Sequence, residues 1–451
     1  MHTEGKEGTA YVVAVSMGYG HERAANGMRS FAVGRKTILA NDYEGIPPAD
    51  KKLWATARRS YEWVSRFKNV PIFGGIAFGF NDWLQRIPPF YPRRDLSEPT
   101  LQVKEVYALI RDFGWGRELI EKLAKHPKPL ICTYMTPAFA AEEFNYPGDI
   151  YLVICDSDVA RPWVPLDPKK SRIKYFAPTG RVVERLKLYG VREKNIFLTG
   201  FPLPMDAIGG KEAPQTTHDL GRRLCHLDPK AVFFSKAYVM LEAVMGKQFC
   251  EGVSTKNARA VSLTFAIGGA GAQREIGAAA VRSLAPSIKN GLLKFNFAAG
   301  IRPEVGAYFR REVIDAGLGE ALRDGRVTIF ENTDRNEYFS SFNKLMMETD
   351  ILWTKPSELS FYAGLGIPIL MTDPVGTQEI YNRDWLLQVG AGADALDARY
   401  ANEWLFDWIA GGALARMAWN GFVNAPTHGA YRIEEIIRGK DTSIPALPIV
   451  V

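Results

Sequence analysis

Cysteine is scarce in this chain, four residues in 451. Cys132, Cys155, Cys225 and Cys250 form no C-x-x-C pair, and three of them lie in apolar runs, so buried, reduced thiols in a cytoplasmic chain are expected. There is no run of eighteen apolar residues, which leaves only peripheral contact with a membrane. The first nine residues are polar and carry two glutamates, so no secretory signal is predicted. Charge of one sign is also lacking. The net +6 is spread over 56 basic and 50 acidic residues, too mild for nucleic-acid binding yet compatible with an anionic ligand or an anionic membrane surface.

What is present is a chain of ordinary globular composition, 47% hydrophobic, and long enough for two domains. The stretch Ser262 to Gln273 is an apolar, β-branched run that ends in Gly268-Gly269-Ala270-Gly271 and passes into a helical pattern from Glu275 to Leu284. A strand, a glycine turn and a helix start in that order form an anion site. Glycines let N–H groups approach a phosphate, and the helix start carries about half a positive charge. The spacing matches neither G-x-G-x-x-G nor the Walker pattern, and a tight strand-to-helix connection without ligand has the same form.

At the other end of the chain Tyr11 to Ser16 reads as a buried strand, followed by Met17-Gly18-Tyr19-Gly20-His21 and a helix. His21 then stands at the mouth of an α/β sheet as a base or hydrogen-bond donor, unless it is a core histidine. Lys36 to Ala40 predicts a second strand, Gln102 to Leu123 a helix, and Pro129 to Thr133 a third strand. Tyr151 to Cys155 predicts a fourth, ending in Asp156-Ser157-Asp158, with Trp163 just after. Three roles stay open for this acidic pair: general base, ligand of a divalent cation, or cap of the following turn. Aromatic and basic residues interleave from 42 to 91, as a membrane patch or acceptor flap would, or as an insertion packed on its own rings. Gly209 to Asp219 reads as a linker.

Beyond it, strands and helices alternate again: strands at 260–267, 293–298, 327–330, 350–354 and 368–372 and helices at 274–285, 303–316, 336–347, 357–365 and 378–389. Helical pattern returns at 401–419 and 431–438. Alternation of this kind specifies parallel, doubly wound sheets. In Thr354-Lys355-Pro356-Ser357-Glu358, Pro356 stops the strand, Ser357 suits an N-cap and Glu358 the first turn. Plain capping explains those two; Lys355 could pair with a phosphate and Glu358 with a ribose diol. One unit later Gly376-Thr377-Gln378-Glu379 delivers an amide and an acid to another helix start, with Asn382 one turn on.

The ordered motifs S-x-G-x-G-H-x-x-A-A, I-C-D…W-V, T-G-x-P, G-G-A-G-A-Q, T-K-P-S-E-L and G-T-Q-E resemble family 28 glycosyltransferases of the GT-B fold, nearest to monogalactosyldiacylglycerol synthases and processive diacylglycerol glucosyltransferases, over roughly residues 11 to 395. The resemblance implies two Rossmann-like parallel-sheet domains facing a cleft. An acceptor-side domain would span 1–219 with the insertion at 42–100, a nucleotide-sugar-binding domain 220–425, and a tail 426–451 would pack back on the first. It implies transfer, with inversion, from a nucleotide-sugar, a UDP-sugar by resemblance, to a sugar or lipid hydroxyl, without an obligatory metal or other cofactor. Gly268, Gly269, Gly271, Gln273, Lys355, Ser357, Glu358, Gln378, Glu379 and Asn382 would then serve the donor. Gly18, Gly20, Asp158 and Trp163 would line the acceptor side, and His21 and Asp156 would be catalytic. The family's segment after Thr-Lys is glycine-rich and about two residues longer, so Pro356-Ser357-Glu358 is a local departure. A UDP-sugar 2-epimerase and a non-catalytic sugar-nucleotide-binding protein are the alternatives.

Overall fold

A computed structural model describes residues 8–67, 87–252, 259–268, 271 and 273–440. Its described residues group into two compact units, one drawn from Met1–Met205, Val375–Asn382 and His428–Val451, the other from Asp206–Pro374 and Arg383–Thr427.

In the first unit six parallel strands, β1 (Ala10–Ala14), β2 (Ala32–Leu39), β3 (Leu130–Cys132), β4 (Ile150–Val153), β5 (Lys174–Ala177) and β6 (Ile196–Leu198), lie in the order β2-β1-β3-β4-β5-β6. β3 and β4 are buried along their whole length, which is why they read as unbroken apolar runs. Val13, Leu152 and Tyr175 form a core with Ile110 and Phe139 from the helices and Trp115 from the turn at 114–116. The helix expected over Gln102 to Leu123 is two helices, Leu101–Phe113 and Arg117–Ala124. Gly114 and Gly116, at φ 67° and 86°, adopt the left-handed conformation that ends one and begins the next.

The second unit holds β7 (Val261–Ala266), β8 (Leu293–Gly300), β9 (Val327–Glu331), β10 (Ile351–Thr354), β11 (Ile369–Met371) and β12 (Gly392–Asp394), parallel, in the order β12-β11-β10-β7-β8-β9. β12 is an edge strand too short to show in the pattern. Polar residues inside this sheet pair with one another: Asn296 on β8 donates to Ser262 and Thr264 on β7, and Thr264 meets Thr349 hydroxyl to hydroxyl at 2.7 Å. The two expected α/β sheets are therefore both present.

Several expectations are corrected. Gly209 to Asp219 runs into the helix Pro214–Leu227, where Thr216 and Asp219 are buried and Leu220, Leu224 and Leu227 face the core. Its stripe starts at the end of the polar stretch, and Pro214 presets the first helical turn. Two further helices, Val232–Met245 and Lys247–Gly252, precede β7. Glu358–Leu365 is a 3-10 helix. The pattern at 401–419 divides at Gly411-Gly412 into Ala401–Ala410 and Ala413–Asn424, and Trp404 packs edge to face on Trp353 in the second unit's core. The last helix, Gly429–Ile437, belongs to the first unit, where Arg432 donates to the Thr199 carbonyl. Of the aromatic stretch, residues 68–86 and the side chains of 58–67 lie outside the described residues. Trp54 is buried against Trp115, and Phe90 is also buried.

The helix Arg335–Glu348 ends inside the second unit, and its last carbonyls need donors. Arg223, wholly buried, donates to Met346, Thr349 and Leu365, and Arg222 to Glu348. Burial, with Arg222 adding to it, pulls the Arg223 pKa down to about 10, so it stays charged at neutral pH. Arg223→Met strands several carbonyls at a desolvation cost of roughly 1–3 kcal/mol each, so the urea midpoint, followed by circular dichroism, should fall by the equivalent of about 3 kcal/mol or more.

Candidate functional site

In the second unit β7 is flanked by β8 on one side and β10 on the other, so the strand order reverses there. Ligands of open α/β sheets bind outside the carboxyl ends of strands at such a point. The hydroxyl of Thr354 donates to the Ala266 carbonyl at 3.0 Å and closes the two strand ends together. Beyond them, a Cβ on Gly268 would lie 2.8 Å from Lys355 Cε, so the lysine stem rests over a position without a side chain. The turn closes by Gly271 N–H to Gly268 O at 2.9 Å, and Gly271 takes φ 71°. Gly269 lies outside the described residues.

Gln273, at φ 65°, is the N-cap residue of the sixteen-residue helix Arg274–Lys289 but makes no cap bond. Its side chain instead latches the end of β11, accepting from the Thr372 hydroxyl at 2.7 Å and donating to the Asp373 carbonyl at 2.9 Å. Ser357 stands at the N-cap of Glu358–Leu365 without a side-chain cap bond, and Glu358 is buried. Thus Gly268, Gly271, Lys355, Ser357 and Glu358 follow adjacent strands, whereas Gln273 is occupied in joining two connections.

The first unit places the other candidates. Its order reverses at β1, between β2 and β3. Gly18 is exposed at φ 147°, with open space where a Cβ would stand, and Gly20 and His21 lie in the first turn of Tyr19–Gly27. His21 is half-buried, with its ring 5.1 Å from Tyr134 edge to face and 5.5 Å from Trp163. Tyr134 follows β3, and Trp163 belongs to a short 3-10 turn after β4. Three strand ends therefore bring three aromatic rings together. Tyr134 escaped the sequence reading; the signal was its place immediately after a buried strand.

The acidic pair divides. Asp158 is fully buried, with both oxygens engaged by Arg185 at 2.8 and 3.0 Å and by Arg181 at 2.9 Å, and it also accepts from Val159 N–H. The arginines stack on Phe90, 4.2 and 5.1 Å from its centroid. Burial works against the Arg185 charge, but Asp158 outweighs it and holds the guanidinium above its ordinary pKa. Asp158 thus ties the β4 loop to the helix Gly180–Leu188. Asp156, two residues earlier, is half-buried; its Oδ1 accepts from Asn382 Nδ2 at 2.9 Å, and Asn382 Oδ1 accepts from Ser157 N–H at 2.8 Å. Asn382 is fully buried and groups with this unit, as does the whole segment Val375–Asn382. Glu379 accepts from Val375 N–H at 2.8 Å, clamping its own turn, and Gln378 is half-buried beside it. Among the described residues no three His, Cys, Asp or Glu side chains gather as metal ligands. Nor is any described helix long and apolar enough to cross a membrane.

Residues 307–402 match the model of a domain of unknown function, DUF6938. No curated protein sequence matches the chain. Among solved structures, the S. aureus MnaA–UDP complex is similar at 13% identity over 97% of this chain and 98% of that one, with a TM-score of 0.47. The UDP-GlcNAc 2-epimerase of Neisseria meningitidis bound to UDP-GlcNAc is similar at 14% identity over 77% and 83%, with a TM-score of 0.44. MurG of Acinetobacter baumannii is similar at 12% identity over 75% and 78%, with a TM-score of 0.38. All three scores lie below 0.5, and the function of this chain is to be sought in its own residues.

Removing the Asp158 carboxylate leaves Arg185 charged and buried. Asp158→Ala should therefore lower unfolding free energy by about 3–5 kcal/mol, measured by urea denaturation. The same loss should not follow Arg93→Ala, whose 3.6 Å pair with Glu184 is half exposed.

Proposed function

We propose that this chain is a GT-B glycosyltransferase that takes a sugar from a nucleotide-sugar, a UDP-sugar by resemblance, and passes it to an acceptor hydroxyl with inversion. The observation that carries this reading is Lys355 lying over Gly268 where the second unit's strand order reverses. An ammonium, a position without a side chain and the start of a long helix stand together there, which is what a diphosphate requires. Ser357 and Glu358 follow on the same connection and supply a hydroxyl and a carboxylate for donor hydroxyls. The first unit takes the acceptor, with Gly18, Gly20, His21 and Trp163 after its strands and Asp156 in the loop after β4.

In the reaction the acceptor O–H gives its proton to Asp156, with His21 as the other candidate, and its oxygen bonds to the anomeric carbon from the face opposite the diphosphate. The bond from that carbon to the diphosphate oxygen breaks, and the electron pair leaves with UDP. Lys355 and the helix start meet the charge that develops on the leaving group. Lys355 supplies the cation a metal would otherwise bring, and Asp158, held by two arginines, is spent as a ligand. Turnover is accordingly expected to survive EDTA. The acceptor is a sugar or a lipid, and a lipid acceptor would call for peripheral contact with a membrane.

UDP at 100 times its dissociation constant should stabilise the chain by about 2.7 kcal/mol, seen as a rise in Tm. Lys355→Met should weaken UDP binding roughly ten-fold or more by calorimetry, the loss of a charged hydrogen bond of about 1.5–3 kcal/mol. A chain whose melting no nucleoside diphosphate shifts would refute the reading. Recovery of a 2-epimer from a UDP-sugar without added acceptor would replace transfer by epimerisation.

A further inference from the structure

The structure assigns Asn382 as the positioning residue of Asp156, an inference that rests on the reading of Asp156 as the base. An asparagine amide has one acceptor end and one donor end, and which is which is ordinarily hard to tell. Here the backbone decides. Ser157 N–H can only donate, so the amide oxygen must face it at 2.8 Å, and the NH2 must then face Asp156 Oδ1, 2.9 Å away. Asn382 is fully buried, and its bond to Ser157 N–H is buried with it, while Asp156 is half-buried.

Both bonds reach consecutive residues of the loop after β4, and together they fix the loop backbone and the carboxylate plane with one rigid group. An amide N–H is satisfied by a carboxylate acceptor, and a carboxylate is the form that takes a proton from an acceptor hydroxyl. Asn382 was expected at the donor sugar, from its place one turn after Gln378 and Glu379. Its side chain instead serves the base. The first two turns of the helix Thr377–Val389 therefore carry the two expected donor-sugar residues and the group that orients the base. Asn382 touches neither substrate nor reacting atoms in this account; it acts through Asp156.

Two variants and two readouts test this. Chain labelled with 13C at aspartate carboxyls is titrated by NMR, with the Asp156 signal identified by its loss in Asp156→Asn. In Asn382→Asp a second carboxylate faces the first, and like charges disfavour ionisation, so the Asp156 midpoint should move to higher pH. UDP release from UDP-glucose, UDP-galactose and UDP-N-acetylglucosamine in water is then followed for each variant. Asn382→Leu should lower kcat by at least roughly ten-fold, part of the 10²–10⁴ that a positioned base contributes, with KM for the donor unchanged. Retention of the UDP-induced rise in Tm shows that each variant is folded. A midpoint unmoved in Asn382→Asp, or a kcat within about two-fold of wild type in Asn382→Leu while Asp156→Asn is inactive, overturns the positioning role alone. Full activity in Asp156→Asn, or no UDP release by the wild type, removes the base reading and this inference with it.

Discussion

Adjacent parallel strands whose chains must depart to opposite faces are the constraint on which the rest of this structure depends. In the second unit β7 leads toward β8 and β10 toward β11, on either side of their shared edge. Crossovers between parallel strands are right-handed, so the two following connections pass to opposite faces of the sheet and leave a gap at the strand ends. The bond from Thr354 to the Ala266 carbonyl holds the edge closed up to that gap. Lys355 follows directly, and Gly268 comes one residue after Ile267. In the first unit β1 and β3 stand in the same relation, and His21 and Tyr134 are what their connections deliver.

Polar side chains near these gaps divide according to what holds them. Asp158 is neutralised by two guanidiniums and stacked aromatics, an arrangement in which removing either charge costs more than the pair contributes. Asp156 is held by a neutral amide, which fixes direction without supplying a counter-charge. Two residues of one acidic motif thus have opposite physical characters, one a fastening and one a carboxylate kept in a set orientation. Gln273 and Arg223 belong with Asp158. Each satisfies backbone or hydroxyl groups that a tight turn or a helix end leaves without partners.

The alternation of strands and helices was legible where buried parallel strands are continuous apolar runs, as β3 and β4 are, whereas β12, three residues at the sheet edge, leaves no such run. The helix Pro214–Leu227 was hidden by its polar first turn, Pro214-Gln215-Thr216-Thr217, although Leu220, Leu224 and Leu227 carry its spacing. Two glycines within three residues, Gly114 and Gly116, divide a helix whose apolar periodicity runs on across them. At the candidate site the pattern located Lys355, Ser357, Asp156 and His21 at strand ends, since that follows from topology. Where Asn382, Gln273 and Glu379 direct their side chains could not be read, because an amide or carboxylate one turn into a helix serves a ligand, a cap or a neighbouring loop with the same spacing.

Ser262, Thr264, Asn296 and Thr349 have a consequence for how the second sheet is assembled. Strands apolar on both faces bury almost as much surface when displaced by one residue, so hydrophobicity alone leaves their alignment nearly degenerate. Hydroxyls and an amide on β7 and β8, satisfied only when Asn296 stands opposite Thr264, lift that degeneracy, since a slipped sheet would strand several of them in a dry interior. The strand ends at the gap therefore arrive level with one another, and the lysine reaches the glycine.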